Sequence, residues 1–354
     1  MNFAPSIKLS TPTLLSIALI CVCFTSVLSI SVGPMEISFS QSMRALASNV
    51  EFLDLHDGAL PAHIHMIVQQ VRLPRTLLAI AIGGILAICG AVMQGLFRNP
   101  LADPGIIGVS AGAALGAALA IVVFGSLAQS YPQLLMFGTV PMFSFLGGAI
   151  TTLLVYQLGT SPTGTSVTMM LLAGVAIGAL SGAMLGLLNY FADDQALRDL
   201  SLWTMGSLAG ANFSGVIFAF SVLVILGLLF YRDAENLNAL LLGEAEANHL
   251  GINVQKLKGR LILLTAAGVG VTVSLAGMIG FIGLIVPHIG RMISGPNHKT
   301  LLPLAMVLGA LLLLISDMLS RILIAPLEIP VGIITAVLGA PFFIWLLISQ
   351  KGRI

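Results

Sequence analysis

Long apolar runs separated by short polar stretches divide almost the whole chain. The first covers roughly 14–32. It is longer than the apolar core of a secretory leader, about 7–15 residues, and more such runs follow, so it is expected to be a retained helix. Segment 33–71 is mixed, carrying Glu36, Arg44, Glu51, Asp54 and Asp57 with His56, His63 and His65. It is too polar to span a bilayer and reads as an outer loop with a short amphipathic helix. Further runs cover 73–96, 106–125, 134–156, 167–190 and 213–231. After a polar stretch at 232–260 come 261–279, 280–294, 301–323 and 329–349. Runs rich in Leu, Ala, Ile and Gly, without the alternation of a barrel strand, predict spanning helices of about 20 residues. The weak point is 261–294, which has few polar residues. There "LAGMIGFIGLIVPHIG" places four glycines and Pro287 where a single straight helix would tolerate them poorly.

The distribution of basic residues tests this count of ten. With the N-terminus inside, Lys8, Arg98, Arg232, Lys256, Lys258, Arg260, Arg291, Lys299, Lys351 and Arg353 fall on the inner side, and Arg44, Arg72, Arg75, Arg198 and Arg321 on the outer, 10 against 5. Reading 261–294 as one crossing would move Arg291, Lys299 and the C-terminal pair outside and invert the bias to 6 against 9. The expected fold is therefore all-α and polytopic, one transmembrane domain over 1–354 with about ten helices and both termini cytoplasmic. Composition agrees: the 354 residues are 57% hydrophobic and 8% charged, too few charges to coat a water-soluble protein of this size. The net charge of +1 points to no nucleic-acid partner. Cys21, Cys23 and Cys89 lie within apolar runs and are expected to pack as small residues, with no metal-ligand spacing.

Most expected helices carry no ionisable residue at mid-depth, so no carboxylate relay suggests a proton pump. Asp317 is the clearest exception, and Arg321 four residues on shares its face, which predicts a local ion pair near the outer end. No HExxH or GxSxG occurs, and "SGPNHKT" lacks the spacing of a phosphate loop. The chain is not expected to be an enzyme or to bind ATP itself. The segments "GAVMQGLFRNPLADPGIIG" and "GMIGFIGLIVPHIGRMISG" occupy corresponding places in the two halves, as paired interrupted segments do in internally repeated transporters. Between the sixth and seventh helices, 236–260 is long for an inner loop. Leu237, Leu240, Leu241 and Leu250, broken at Gly243 and Gly251, predict two short helices at the membrane surface and a docking face for a cytoplasmic motor.

Several stretches carry a resemblance: "VRLPRTLLAIAIGGILAICGAVMQGLFRNPLADPGIIGVSAGA", "LLAGVAIG", "LLLGEAEANHLGI", "LAGMIGFIGLIVPHIGR" and "IPVGIITAVLGAPFFIWLL". They resemble the FecCD/BtuC permeases of type II ABC importers for iron–siderophores, haem and vitamin B12, from Val71 to the C-terminus. Within that family, the likeness is strongest to the haem permeases of Gram-negative bacteria. The resemblance implies a BtuC-like homodimer of ten-helix subunits in the bacterial inner membrane. It also implies two cytoplasmic ATPase subunits that use ATP-Mg, one periplasmic substrate-binding protein, and no cofactor or metal held by this chain. It assigns ATPase coupling to Leu242, Gly243, Glu244, Ala247, Leu250 and Gly251, and binding-protein docking to Arg72, Arg75 and Arg321, whose guanidinium forks suit carboxylates.

The same resemblance makes the fifth helix, Thr168–Leu188, the translocation pathway. Gly174, Gly178 and Gly182 form a small face expected to pack on a neighbour, leaving Met169, Met170, Leu172 and Met184 to the lumen. Haem is the favoured cargo, with His56, His63 and His65 as candidate contacts because imidazole is a common axial ligand. A ferric-siderophore or cobalamin permease of the same family, and an ion-gradient-driven secondary transporter, are the alternatives.

Overall fold

A computed structural model describes residues 10–48, 60–125, 138–161 and 164–350. Fourteen longer helices, a 3₁₀ turn at Pro104–Ile107 and one small hairpin make up the framework of these described residues. The helices are α1 (Thr11–Ser31), α2 (Phe39–Ala47), α3 (Ala62–Leu96), α4 (Val109–Val123), α5 (Thr139–Leu158), α6 (Val167–Phe191), α7 (Asp194–Thr204), α8 (Phe213–Arg232), α9 (Ala234–Leu242), α10 (Glu244–His249), α11 (Val254–Ala276), α12 (Ile282–Ser294), α13 (His298–Ile322) and α14 (Val331–Gln350). Strands β1 (Thr160–Ser161) and β2 (Gly164–Thr165) pair antiparallel just before α6.

Seven helices, α1, α3, α5, α6, α8, α11 and α13, are long and apolar enough to cross a membrane. Three shorter apolar helices, α4, α12 and α14, fall on the remaining expected runs. The expected break in 261–294 is present, but its cause differs. Residues 277–281 leave the helix through Gly277 at φ +68° and Phe281 at φ +69°, whereas Pro287 sits inside α12. The glycines make the break; Pro287, the sixth residue of α12, removes the i→i−4 donor to the Gly283 carbonyl, which Gln94 Nε2 takes instead at 3.1 Å.

Helix α3 is the hub, and nearly all of its spanning window is buried against α13, α12, α8 and α11. In lipid there is little hydrophobic drive between helices, so association rests on close packing. Two glycine crossings provide it. A methyl group on Gly83 would strike the carbonyl of Gly309 in α13, and one on Gly90 would strike that of Gly283 in α12. The second crossing joins the two interrupted segments singled out in the sequence, and Gln94 Nε2 reinforces it by donating to the carbonyls of Gly283 and Leu284 at 3.1 and 3.2 Å. Cys89 packs in this core, while Cys21 and Cys23 are exposed on α1, so only one of the three cysteines is a packing residue.

Two segments depart from expectation at polar–apolar boundaries. The last part of 33–71 is helical: 62–72 continues without a break, through a π turn, into the second span. Likewise, α11 begins at Val254, so the polar residues 254–260 form its first turns rather than the end of an inner loop. In both places the helix runs past the apolar stretch because neighbouring protein buries its polar turns. α2 is the expected amphipathic helix, closed by a capping box between Ser38 and Gln41.

Candidate functional site

Helices α1, α3 and α13 bring one end of the bundle together around three arginines. Arg72, Arg75 and Arg321 are all buried, with 2–5% of their surface exposed. Arg75 donates from Nε to Asp317 Oδ1 at 2.8 Å and from Nη1 to Glu328 Oε2 at 2.7 Å. Arg321 Nη2 lies 3.1 Å from Asp317 Oδ2 as an ion pair, and donates to Ser29 Oγ at 2.7 Å. The ion pair expected between Asp317 and Arg321 is therefore present, and Arg75 extends it.

The other contacts solve a different problem. The last carbonyls of a helix have no partner within it. At the end of α1, Arg72 Nη1 takes Ile30 O and Ser31 O at 3.0 and 2.8 Å, and Arg321 Nη1 takes Ser29 O and Val32 O at 3.0 and 2.8 Å. Arg72 Nη2 also reaches Met35 O at 2.5 Å. Two cations at the negative end of the α1 dipole satisfy all four orphan acceptors. The docking role expected for these three arginines thus falls on side chains that already have partners within the chain. The carboxylates they hold are Asp317 and Glu328 of this chain, and most of their remaining donors hold its backbone.

The opposite end carries the expected coupling segment, as two short helices, α9 and α10. Gly243 joins them at φ +137°, a conformation L side chains rarely adopt, and a methyl group there would collide with the Glu246 carboxylate. Gly251 closes α10 at φ +84°. Ala247 is fully buried beneath the pair, while Leu242 and Leu250 are 68% and 64% exposed. Two large apolar side chains thus stand out on either side of Glu244. Nearby, Glu235 is held below the usual carboxylate range by its hydrogen bond and charge pairing with Lys299.

Sequence reasoning passed over Lys258, counting it only as an inner positive charge. Its ammonium is buried and donates to Glu244 Oε1 at 2.6 Å and to the Thr165 carbonyl at 3.0 Å. Gln255, one turn earlier on α11, accepts from Thr165 N–H at 2.8 Å. These bonds tie α10 to the hairpin that leads directly into α6. A lysine three residues after Gln255 in an apolar helical pattern was the available signal.

On α6 the expected faces are rearranged. Met169, Leu172 and Met184 are 53%, 61% and 46% exposed, but Met170 is buried against Gly159. Gly174 is buried, whereas Gly178 and Gly182 have open space where a side chain would stand. The small face is therefore not packed within the protomer, and Met170 does not share the outward face of the other three. The reason is helical phase: Met169 and Met170 are about 100° apart and cannot both face one lumen.

His63 is exposed and His65 sits near Ser48, its Nδ1 3.3 Å from Ser48 Oγ. Two positions apart on one helix, they do not face each other. His56 lies outside the described residues. No group of three or more potential metal ligands occurs among the described residues.

The comparisons bear on this arrangement. The FecCD transport family matches residues 19–349. The hemin transport system permease protein HmuU of Yersinia pestis is 48% identical over 285 residues, 80% of this chain and 83% of that protein. The cobalamin import system permease protein BtuC of Halobacterium salinarum is 40% identical over 294 residues, 83% and 76% of the two chains. A solved ABC transporter of metal-chelate type, in an inward-facing conformation, superposes with a TM-score of 0.80 at 33% identity, covering 96% of this chain and 99% of that one.

Proposed function

The chain belongs to the FecCD transport family and is a multi-pass permease subunit of an ABC importer; on that footing we propose that it moves haem across the inner membrane. The 48% identity to a hemin permease over most of both chains carries the choice of cargo. Cobalamin is the second reading, favoured by the 40% identity to an archaeal cobalamin permease. Family membership replaces the ion-gradient-driven alternative: the driving energy comes from a separate ATPase using ATP-Mg.

In this reading two copies pair with two ATPase subunits and one periplasmic binding protein, and both termini of each copy are cytoplasmic. The open Gly178–Gly182 stripe of α6 suits close approach of a second copy, since small residues four apart let helices meet at short range. The exposed Leu242 and Leu250 flanking Glu244 suit an ATPase groove, with apolar anchors at the centre of the contact. Met169, Leu172 and Met184 line the route. It is apolar and weakly binding, as release of a flat, largely apolar cargo requires.

The test is reconstitution in proteoliposomes with the cognate ATPase and binding protein. ATP-dependent accumulation of haem, without accumulation of cobalamin or a ferric siderophore, is the expected result. Cobalamin uptake with haem excluded would overturn the cargo assignment and leave the permease assignment standing.

A further inference from the structure

At the coupling end, α8 and α13 leave a groove of about 190 Å³ between them, floored by Ile88 of α3. Gly227, Leu228 and Tyr231 form one wall, Leu302 and Met306 the other. The Tyr231 hydroxyl is the one polar side-chain group among the lining residues that can donate a hydrogen bond. Gly227 makes the space: a methyl group there would meet nothing nearer than Met306 Sδ at 3.9 Å. The groove opens outwards, since Leu228 and Tyr231 are 68% and 50% exposed, and Val224 and Ile225 beside it on α8 are exposed as well. A surface this apolar on a spanning helix faces acyl chains, and water in the groove would find almost no partner.

The groove is separate from the open stripe of α6. That helix packs on α4 and α5, whereas α8 packs on α3, α11 and α13. At the membrane surface the groove ends in charge. Arg232 stands one turn beyond Leu228 on the same face of α8, and Lys299 one turn before Leu302 on α13. Arg232 is exposed and has no hydrogen-bond or ion-pair partner among the described residues. Lys299 is 46% exposed and pairs with Glu235 at 2.5 Å. Asp233, next to Arg232 in sequence, is held by Arg260. The two pairs cancel, so this corner keeps one uncompensated positive charge at Arg232, with the Tyr231 hydroxyl and the Lys299 ammonium as further donors within reach of solvent.

We propose that this groove is a binding site for an anionic phospholipid, with one acyl chain lying along Gly227 between α8 and α13 and the phosphate against Arg232, flanked by Tyr231 and Lys299. An apolar trough ending in a free cation at the membrane surface matches a lipid in both its parts. A guanidinium suits the phosphate because it offers several donors in one plane. A zwitterionic headgroup supplies the same chain and phosphate but brings a second cation to a corner that already has one in excess. The site rests on the chain's residence in a membrane and is independent of the cargo. α9, the first helix of the coupling segment, starts at Ala234, two residues beyond Arg232. A bound lipid therefore fastens α8 to α13 where that segment departs.

The test uses the full-length chain in phosphatidylcholine bilayers with a Leu228→Trp reporter in the groove wall, the signal of Trp203 and Trp345 being subtracted with the protein that lacks it. Phosphatidylglycerol and phosphatidylcholine with brominated chains, which quench tryptophan on contact, are introduced in turn at the same mole fraction. The anionic lipid should quench the reporter with a relative affinity about fivefold above the zwitterionic one, the effect of one cation near the surface. Arg232→Gln, at an exposed position where folding is not at risk, should bring that ratio to about one. Gly227→Leu fills the groove with a good helix former and should abolish the preference although Arg232 is kept. Equal quenching by the two lipids, or a preference that survives either variant, would overturn the site. A reporter that neither lipid quenches would also overturn it and assign the groove to protein, a second copy of this chain included.

Discussion

Lys258→Met separates the coupling helix from the entry to α6 without emptying the core. The lysine side chain is 3% exposed and its partner Glu244 is 45% exposed. Because Glu244 is nearly half in water, its pairing is discounted to about 1 kcal/mol. The Thr165 carbonyl, 3.0 Å from the ammonium, loses a buried partner at a cost of about 1–3 kcal/mol. Methionine keeps most of the stem volume, so no large cavity opens. The sum, about 2–4 kcal/mol, is local and smaller than the roughly 5–15 kcal/mol typical of a folded domain. The protein should insert and assemble. What it should lose is the rigid tie by which displacement of α10 reaches the hairpin and α6. A coupling free energy of about 1–3 kcal/mol corresponds to a factor of about 5–150. Cargo accumulated per ATP hydrolysed should therefore fall by about tenfold, with ATPase turnover retained, when uptake and phosphate release are measured in the same proteoliposomes. Glu244→Gln keeps an Oε1 acceptor for Lys258 and should be milder. The double variant should be no worse than Lys258→Met, since both changes act on one contact. A folded Lys258→Met transporter with the wild-type ratio of cargo to ATP, or fully additive effects, would refute the tie.

Arg75→Gln should cost about 1.5–3 kcal/mol by removing a charge-assisted hydrogen bond from buried Asp317, which keeps Arg321 as its partner, seen as lost thermal stability in detergent. Pairing it with Asp317→Asn should recover part of the loss. Gly243→Leu forces a side chain into φ +137° against Glu246, a strain of about 1–3 kcal/mol confined to the α9–α10 join; co-purification of the ATPase should drop while membrane insertion is unchanged. Asp103, pushed above the usual carboxylate range by burial although Gly105 N–H partly offsets it, caps the turn before α4. Asp103→Asn keeps the cap and should be neutral or stabilising above the ordinary Asp pKa, where the wild-type carboxyl must ionise while buried. Asp103→Ala should lose about 1 kcal/mol in chemical unfolding.

Apolar runs long enough to span were visible in the sequence because lipid demands them, and every expected run coincides with an apolar helix. What failed were inferences about neighbours. Residues 254–260 looked like loop because Gln255, Lys256, Lys258 and Arg260 are polar, yet Lys258 is buried by the hairpin and by Glu244. The glycine stripe of α6 predicts a packed face, but two of its three members meet nothing inside the protomer. Gly243 and Gly251 were legible as backbone breaks because only glycine is comfortable at their positive φ. The Asp317–Arg321 pair was legible from its four-residue spacing, but the contacts of Arg75, and those of Arg321 to the end of α1, were not, since those partners lie 242 to 292 residues away in the chain.

That distance changes what docking at this end requires. A carboxylate arriving from a binding protein could capture Arg72 only by displacing three carbonyls, and Arg321 only by uncapping α1 and exposing Asp317. Lysine would replace either arginine incompletely, because each guanidinium also uses its second nitrogen, Arg72 Nη2 on Met35 O and Arg321 Nη2 on Ser29 Oγ, beyond the two carbonyls that one nitrogen takes. These side chains therefore set the angle at which α1 meets α3 and α13. Charge that a partner can reach without dismantling the helix end must come from elsewhere on the same end. Arg198, exposed on α7, is available in that way, and an exposed cation there steers an acidic surface in a manner that salt screens. Salt-sensitive capture that survives substitution of the buried trio but not of Arg198 is the signature of this division of labour. Salt-sensitive capture lost only with Arg72 or Arg321, in protein whose α1 remains capped, would return those residues to the interface.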